Sequence, residues 1–389
     1  MPTGDPSRRD FLTGRAAERA ARGAVNRALG RDDIDSLHRD DLRSSSADSK
    51  AEAFPGIAHD AYLLRYSTTA MACEFEVAVP AENRSLDAAA TAEPPALQAL
   101  ALVEQLENQM TVYRSDSELA QINQRAATEA IIVEPKLFAL LKQCKTLAEK
   151  TQGAFDITST PLTRVWGFHR REGRIPSDVA LSEARSIIGW QHLVLDEESM
   201  SVRFEKAGLE LNLGAIGKGF ALDRCGELMR EHGESCFLWH AGQSSVLATG
   251  DQPSQPTGSG WPITIGNPLK PGKPLGTLRV ANVGVATSGS SQQFFRHEGQ
   301  RYGHVIDPRT GKPASGVLSV TVMADTAAEA DALATAFSIL GPARAEEYCQ
   351  ARPTCGFVML ARDRDESPFR LRIAGRAEEH FALEPGVPL

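Results

Sequence analysis

No other stretch constrains this chain as tightly as residues 209–223, Leu-Glu-Leu-Asn-Leu-Gly-Ala-Ile-Gly-Lys-Gly-Phe-Ala-Leu-Asp. Leu209, Leu211 and Leu213 alternate with polar residues, which predicts a strand with one apolar face. Gly214, Gly217, Lys218 and Gly219 follow. Ala221, Cys225, Leu228 and Met229 then recur at helical spacing, and Gly233 supplies the stop. A glycine loop feeding a helix N-terminus lets backbone approach a ligand and offers N–H groups at the positive end of the helix dipole. With the mobile charge of Lys218 added, a diphosphate suits the loop. A tight strand-to-helix turn accounts for the same residues. The loop is not a Walker A sequence, because the first glycine is missing and Gly219 stands where Ser or Thr would meet magnesium. Its glycine spacing also departs from the dinucleotide fingerprint.

The rest of the chain bounds what surrounds this element. A length of 389 residues allows one large domain or two or three smaller ones. A net charge of −8 argues against a general nucleic-acid or anionic-membrane binder. No apolar run approaches the roughly 20 residues of a membrane span. The six cysteines form no CxxC pair or His/Cys cluster, so reduced core cysteines are expected. Arg8-Arg9 sits in a context similar to a twin-arginine export motif. The residues after it are rich in Arg and Ala with no apolar stretch, which favours a cytoplasmic protein, with export the alternative. Residues 1–60 are polar and charged and are expected to form a flexible tail, leaving 61–389 as the folded domain.

Periodicity predicts strands at 61–66 and 73–79 with a loop at 67–71 between them, and a surface loop at 81–95. Helices are expected around Leu102 to Met110, from the cap at residues 115–119 to Asn123, and from Leu137 to Ala148 with Gly153 as stop. Short strands near 237–239, 245–248, 263–265, 277–280 and 319–323 alternate with Gly- and Pro-rich turns. Thr326 with Glu329 forms a capping box opening a helix that Gly341-Pro342 ends. Strands and helices that do not alternate regularly predict an α+β fold with mixed, largely antiparallel sheets flanked by helices.

Several residues offer chemistry. Asp331 and Thr335 stand four apart on one helix face and would give Mg²⁺ two hard oxygen ligands; an exposed Asp and a back-bonding Thr are the alternative. His304, in an expected strand just before a Pro–Gly turn and near Asp307, suits a general base for a hydroxyl, or a structural role. Tyr113 and Phe155 suit stacking on a planar ring or simply the core. Asp156 suits a hydrogen bond from a ribityl or ring group, or a turn cap. No GxSxG or HExxH motif is present.

Taken in order, these pieces resemble the ApbE family of FAD:protein FMN transferases. The resemblance runs over roughly residues 64–345. It rests on Thr69-Ala-Met71, Tyr113 with Ser117-Glu-Leu, Gly153-Ala-Phe-Asp156, Trp166-Gly-Phe168 and the glycine loop, then on Ala241-Gly242, Thr287-Ser-Gly289, His304-Val-Ile-Asp-Pro308 and Ala330-Asp-Ala-Leu-Ala-Thr335. It implies an ApbE-like (T-fold-like) architecture and Mg²⁺-dependent transfer of FMN from FAD to a Thr or Ser hydroxyl of a partner flavoprotein, with AMP released. Carried over, Asp331, Thr335 and the Ala215 carbonyl would bind Mg²⁺. Met71, Tyr113, Ala154, Phe155, Asp156, Asn212, Lys218 and the backbone around Val305 would hold FAD, and His304 would take the acceptor proton. The sequence departs from the family at Asn212 (usually Asp), Ala72-Cys73 (usually Gly-Thr), Gln243-Ser-Ser245 (usually Gly-Asp) and Ser291-Gln-Gln293 (where Tyr and Arg are expected). Those departures leave two further readings: hydrolysis of FAD to FMN and AMP, and a flavin-binding protein without catalysis.

Overall fold

A computed structural model describes residues 62–81, 94–168, 172–253, 255–289, 294–363 and 367–387. The tail with Arg8-Arg9, most of the expected loop at 81–95, and Ser291-Gln-Gln293 lie outside the described residues. The centre of the fold is an eight-stranded sheet whose spatial order follows the chain: β1 (Leu63–Ala70), β2 (Cys73–Pro80), β3 (Phe237–Ala241), β4 (Ser245–Thr249), β5 (Val283–Gly289), β6 (Val317–Ala324), β7 (Gly356–Ala361) and β8 (Arg370–Gly375). Every neighbouring pair in it is antiparallel. The α+β expectation therefore holds.

The described residues also form helices. They are α1 (Pro95–Met110), α2 (Glu118–Arg125), α3 (Pro135–Lys150), α4 (Thr160–Val165), α5 (Asp178–Ile187), α6 (Gly217–Glu231), α7 (Ala327–Gln350) and the short α8 (Ala377–His380). Of these, α1, α6 and α7 form the layer against the sheet. The alternation of β3 shows how the sequence sorts the layers: Phe237, Trp239 and Ala241 enter the main core with the helices, while Leu238 packs with the second core on the opposite face. That opposite face is covered by a three-stranded sheet made of Trp261–Gly266, Pro274–Val280 and Phe381–Leu383.

Two expectations change. Residues 67–70 are strand rather than loop, because β1 and β2 are joined by a two-residue turn in which Met71 and Ala72 both take positive φ (49° and 59°). Ser and Thr fit a pleated strand well, so their polarity did not mark a loop. Residues 209–213 show the expected burial of Leu209, Leu211 and Leu213 but join no sheet. Asn123 acts as the partner strand instead: its Oδ1 accepts from the Leu211 N–H (2.8 Å) and its Nδ2 donates to the Leu211 carbonyl (2.9 Å). The Asn212 N–H donates to the Ile157 carbonyl. The helix opened by Thr326 stops at Gly341 as expected: the φ of 73° and ψ of 178° there are not helical, and a second helical segment of α7 begins at Pro342. The N-cap half of the expected capping box is in place, with the Thr326 side chain accepting from the Glu329 N–H at 3.1 Å.

Candidate active site

The N-termini of α6 and α7 meet beside the centre of the sheet, and glycines make the approach possible. A Cβ on Gly219 would lie 2.1 Å from the Ala327 carbonyl oxygen, and one on Gly284 would lie 2.3 Å from the Ala327 nitrogen. Gly219 is thus required by helix–helix packing rather than by ligand approach, a correction to the sequence reading. Asp223, one turn further along α6, ties the helices together: its two carboxylate oxygens accept from the Ala327 and Ala328 N–H groups, both at 2.8 Å. These are orphan donors of the first turn of α7. Burial among these elements pushes the Asp223 carboxyl up to about 7, against the pull of those two hydrogen bonds.

Asp331 then projects from α7 toward the start of α6. It is 7% exposed, so the alternative of a solvent-facing Asp does not hold. Its Oδ2 accepts from the Gly219 N–H (2.7 Å) and its Oδ1 from the Ser245 hydroxyl of β4 (2.7 Å), with the Lys218 ammonium 3.9 Å from Oδ2. The N–H that the glycine loop offers is therefore spent on a carboxylate of the protein. Burial raises the Asp331 carboxyl above the usual carboxylate range, while Lys218 and the two hydrogen bonds hold it down. Thr335, one turn on, makes a 3.4 Å contact from its hydroxyl to the Asp331 carbonyl, the back-bonding geometry expected for a helical Thr.

A half-open cavity of about 1220 Å³ begins at this point. Ala215, Lys218, Asp331 and Thr335 line it together with Asn212, His304 and Val305, so the proposed metal, diphosphate and proton-transfer groups share one space. His304 lies in a bend between the strands Gln300–Gly303 and Ile306–Asp307, not within a strand as the sequence suggests. That bend is braced from outside the cavity. The Trp166 indole N–H donates to the Gly311 carbonyl (2.8 Å), and Trp166 packs against Phe295 and Tyr302. The Asp307 carboxylate is engaged by Arg309 at 2.9 Å through both Nε and Nη2.

The flavin contacts divide. Ala154, Phe155 and Asp156 line the cavity, but the Phe155 ring is core at 1% exposure. Asp156 already accepts from the Thr158 N–H (2.8 Å), the Thr158 hydroxyl (2.7 Å) and the Trp190 N–H (3.1 Å), and burial raises its carboxyl despite them. The Asn212 side chain accepts from the Gly214 N–H at 2.8 Å, and the Val305 carbonyl accepts from the Ala314 N–H. Tyr113 is 78% exposed and lines a smaller neighbouring cavity of about 260 Å³, which shares Thr160 with the large one. Met71 sits at the β1–β2 turn, its N–H donating to Glu107 (2.7 Å), and lines neither space. Ser245, buried against Asp331, was visible in the sequence only as part of a departure. Its signal was a hydroxyl at an inward-facing position of an otherwise apolar strand.

A cavity of this size exceeds the usual range for small ligands and has room for a large one. The convergence there of a buried carboxylate, a lysine and a histidine makes it the candidate enzyme site. Comparison with known proteins gives the family. Residues 71–359 match the ApbE family, and the chain belongs to it. It is 31% identical to the FAD:protein FMN transferase of Vibrio cholerae over 254 residues, 64% of this chain and 74% of that one. It is 33% identical to that of Treponema pallidum over 252 residues, 62% and 69% of the two chains. Among solved structures, the flavin transferase ApbE from Vibrio cholerae superposes with a TM-score of 0.71 at 26% identity, covering 82% of this chain and 99% of that one. The flavinyl transferase ApbE of Pseudomonas stutzeri gives a TM-score of 0.70 at 26% identity, with coverage of 82% and 97%. No described helix is long and apolar enough to cross a membrane.

Proposed function

We propose that this chain transfers FMN from FAD to a Thr or Ser hydroxyl of a partner flavoprotein, releasing AMP in a Mg²⁺-dependent reaction. Residues 61–389 form the transferase domain in this reading, and it works in the cytoplasm. The observation that carries the reading is the shared cavity: Ala215, Lys218, His304, Asp331 and Thr335 come from separate segments and line one space. The names of the relatives support FAD as the FMN donor and a protein as the acceptor.

The residues fit the metal. A carboxylate, a hydroxyl and a backbone carbonyl are hard oxygen donors, and no group of three His, Cys, Asp or Glu placed to hold a metal ion occurs among the described residues. A cation here would draw on few protein ligands and complete its shell with substrate oxygens and water, which is the habit of Mg²⁺. Asp331, Thr335 and the Ala215 carbonyl would hold it, and when bound it supplies Lewis-acid charge to the diphosphate. Lys218 contributes a second positive charge toward the same phosphates. Ala154, Phe155, Asp156, Asn212 and the Val305 backbone hold the flavin side, with Met71 and Tyr113 completing the contacts implied by the family. His304 accepts the proton of the acceptor hydroxyl. That oxygen bonds to the FMN phosphorus, and the phosphorus–oxygen bond to AMP breaks with its electron pair leaving on AMP.

The test is incubation with FAD and Mg²⁺, with and without an acceptor flavoprotein domain, following AMP and acceptor mass. An FMN-sized mass gain with AMP, abolished in His304→Ala, supports transfer. AMP without a mass gain selects hydrolysis, and bound FAD without AMP selects a flavin binder.

A further inference from the structure

We propose that Ser245 is a positioning residue that fixes the Asp331 carboxylate for cation binding, a role that rests on the metal reading given above. Ser245 is fully buried at the first position of β4, where its register is set from both sides by Ala241 of β3 and Ala286 of β5. It shares parity with Leu247, which faces the helix layer, so its hydroxyl points from a central sheet strand into α7. There it donates to Asp331 Oδ1 at 2.7 Å, while the Gly219 N–H donates to Oδ2 at 2.7 Å.

An ionised carboxylate offers about four lone-pair sites. One hydrogen bond on each oxygen, from two different rigid elements, fixes both the position and the plane of the group. It also leaves a lone pair on each oxygen for other partners. The third neighbour, the Lys218 ammonium, is 3.9 Å away and does not close those sites. Asp331 lies 7% exposed, so water cannot substitute freely for a missing donor. Ser245 thus places a neutral hydroxyl donor against the carboxylate.

The test measures Mn²⁺ binding directly, by calorimetry or by the spin-resonance signal of the free ion, in wild type, Ser245→Ala, Ser245→Cys and Asp331→Ala. Removal of partners that orient metal ligands costs about 10–100-fold in affinity. Ser245→Ala is expected to weaken Mn²⁺ binding at least about tenfold while FAD binding without metal stays within about twofold. Ser245→Cys, which keeps the shape with a poorer donor, is expected to fall between, and it carries the test should the alanine variant not fold. Wild-type Mn²⁺ affinity in a folded Ser245 variant would overturn the role. So would equal losses of FAD and Mn²⁺ binding, which report a site loosened as a whole. If Asp331→Ala binds Mn²⁺ normally, the metal reading itself is wrong and Ser245 falls with it. Loss of binding in Asp331→Ala with none in the Ser245 variants defeats the Ser245 proposal alone.

Discussion

Gly217 and Gly219 stand two residues apart in the same loop, and alanine should be tolerated at the first and strongly destabilising at the second. At Gly219 the new methyl would sit 2.1 Å from the Ala327 carbonyl oxygen, 2.3 Å from its carbon and 2.6 Å from the Ala328 nitrogen. All three are backbone atoms at the start of α7, pinned there by Asp223, so no side chain can swing aside. Relief requires α6 and α7 to separate by about 1 Å or more, beyond what a packed interior absorbs without strain. Overpacking of this kind costs about 1–3 kcal/mol. The same movement stretches the 2.7 Å bond from the Gly219 N–H to buried Asp331, a charged hydrogen bond worth about 1.5–3 kcal/mol. Gly219→Ala should therefore lose roughly 3–5 kcal/mol, and at about 2–4 °C per kcal/mol for a domain of this size its melting temperature should drop by on the order of 10 °C. At Gly217 the nearest atoms are the Leu213 Cβ and the Met110 methyl, both at 3.8 Å, which is ordinary contact. Gly217→Ala should be neutral or stabilise by up to about 1 kcal/mol through helix propensity. Scanning calorimetry of the two variants checks this directly. If Gly219→Ala melts with wild type, or if both variants fall together, the close helix approach is not what the glycine serves.

Asp223 gives a pH signature. Its carboxyl is raised in the folded state to about 7, above its unfolded value near 3.9, so the folded form holds the proton more tightly. The stability it contributes is full below about pH 4 and is lost as pH rises toward and through 7. The difference in melting temperature between wild type and Asp223→Asn should shift across that window and level off above it; a constant difference from pH 4 to 8 would contradict the burial argument. Asn123→Ala should cost about 1–3 kcal/mol in denaturant unfolding, because it leaves both backbone groups of buried Leu211 without their partners; an unchanged midpoint would mean that water replaces the amide. His304→Ala should lower the transfer rate by about 10²–10⁴-fold with FAD affinity retained. A rate loss accompanied by an equal affinity loss would make His304 a binding residue instead.

Local periodicity was enough to read much of this chain. The helices α1, α2, α3 and α6, the Thr326 cap and most of the sheet strands follow from spacing alone, because side-chain period and capping chemistry act over a few residues. The family also followed from short motifs whose order survives at about 30% identity. Other features lay beyond that reach. Leu209, Leu211 and Leu213 alternate like a strand, yet their backbone partner is the side chain of Asn123, distant in sequence. The strands β5, β7 and β8 drew no prediction, although β7 is buried throughout.

Within the site, sequence by itself determined which groups were available: one lysine in a glycine loop, an Asp and a Thr one helical turn apart, and a His before a turn. Tertiary structure decided where each group lies and what it meets. It turned a glycine that reads as a ligand cradle into a helix contact, enclosed an Asp that spacing would leave exposed, and brought a strand serine onto that carboxylate. It also drew Phe155 into the core and set Tyr113 at a separate, smaller cavity. The physical reason is that burial and hydrogen-bond satisfaction depend on which elements pack together. A single strand or helix carries the donors and acceptors, and only the packed sheet and helix layers determine which of them meet.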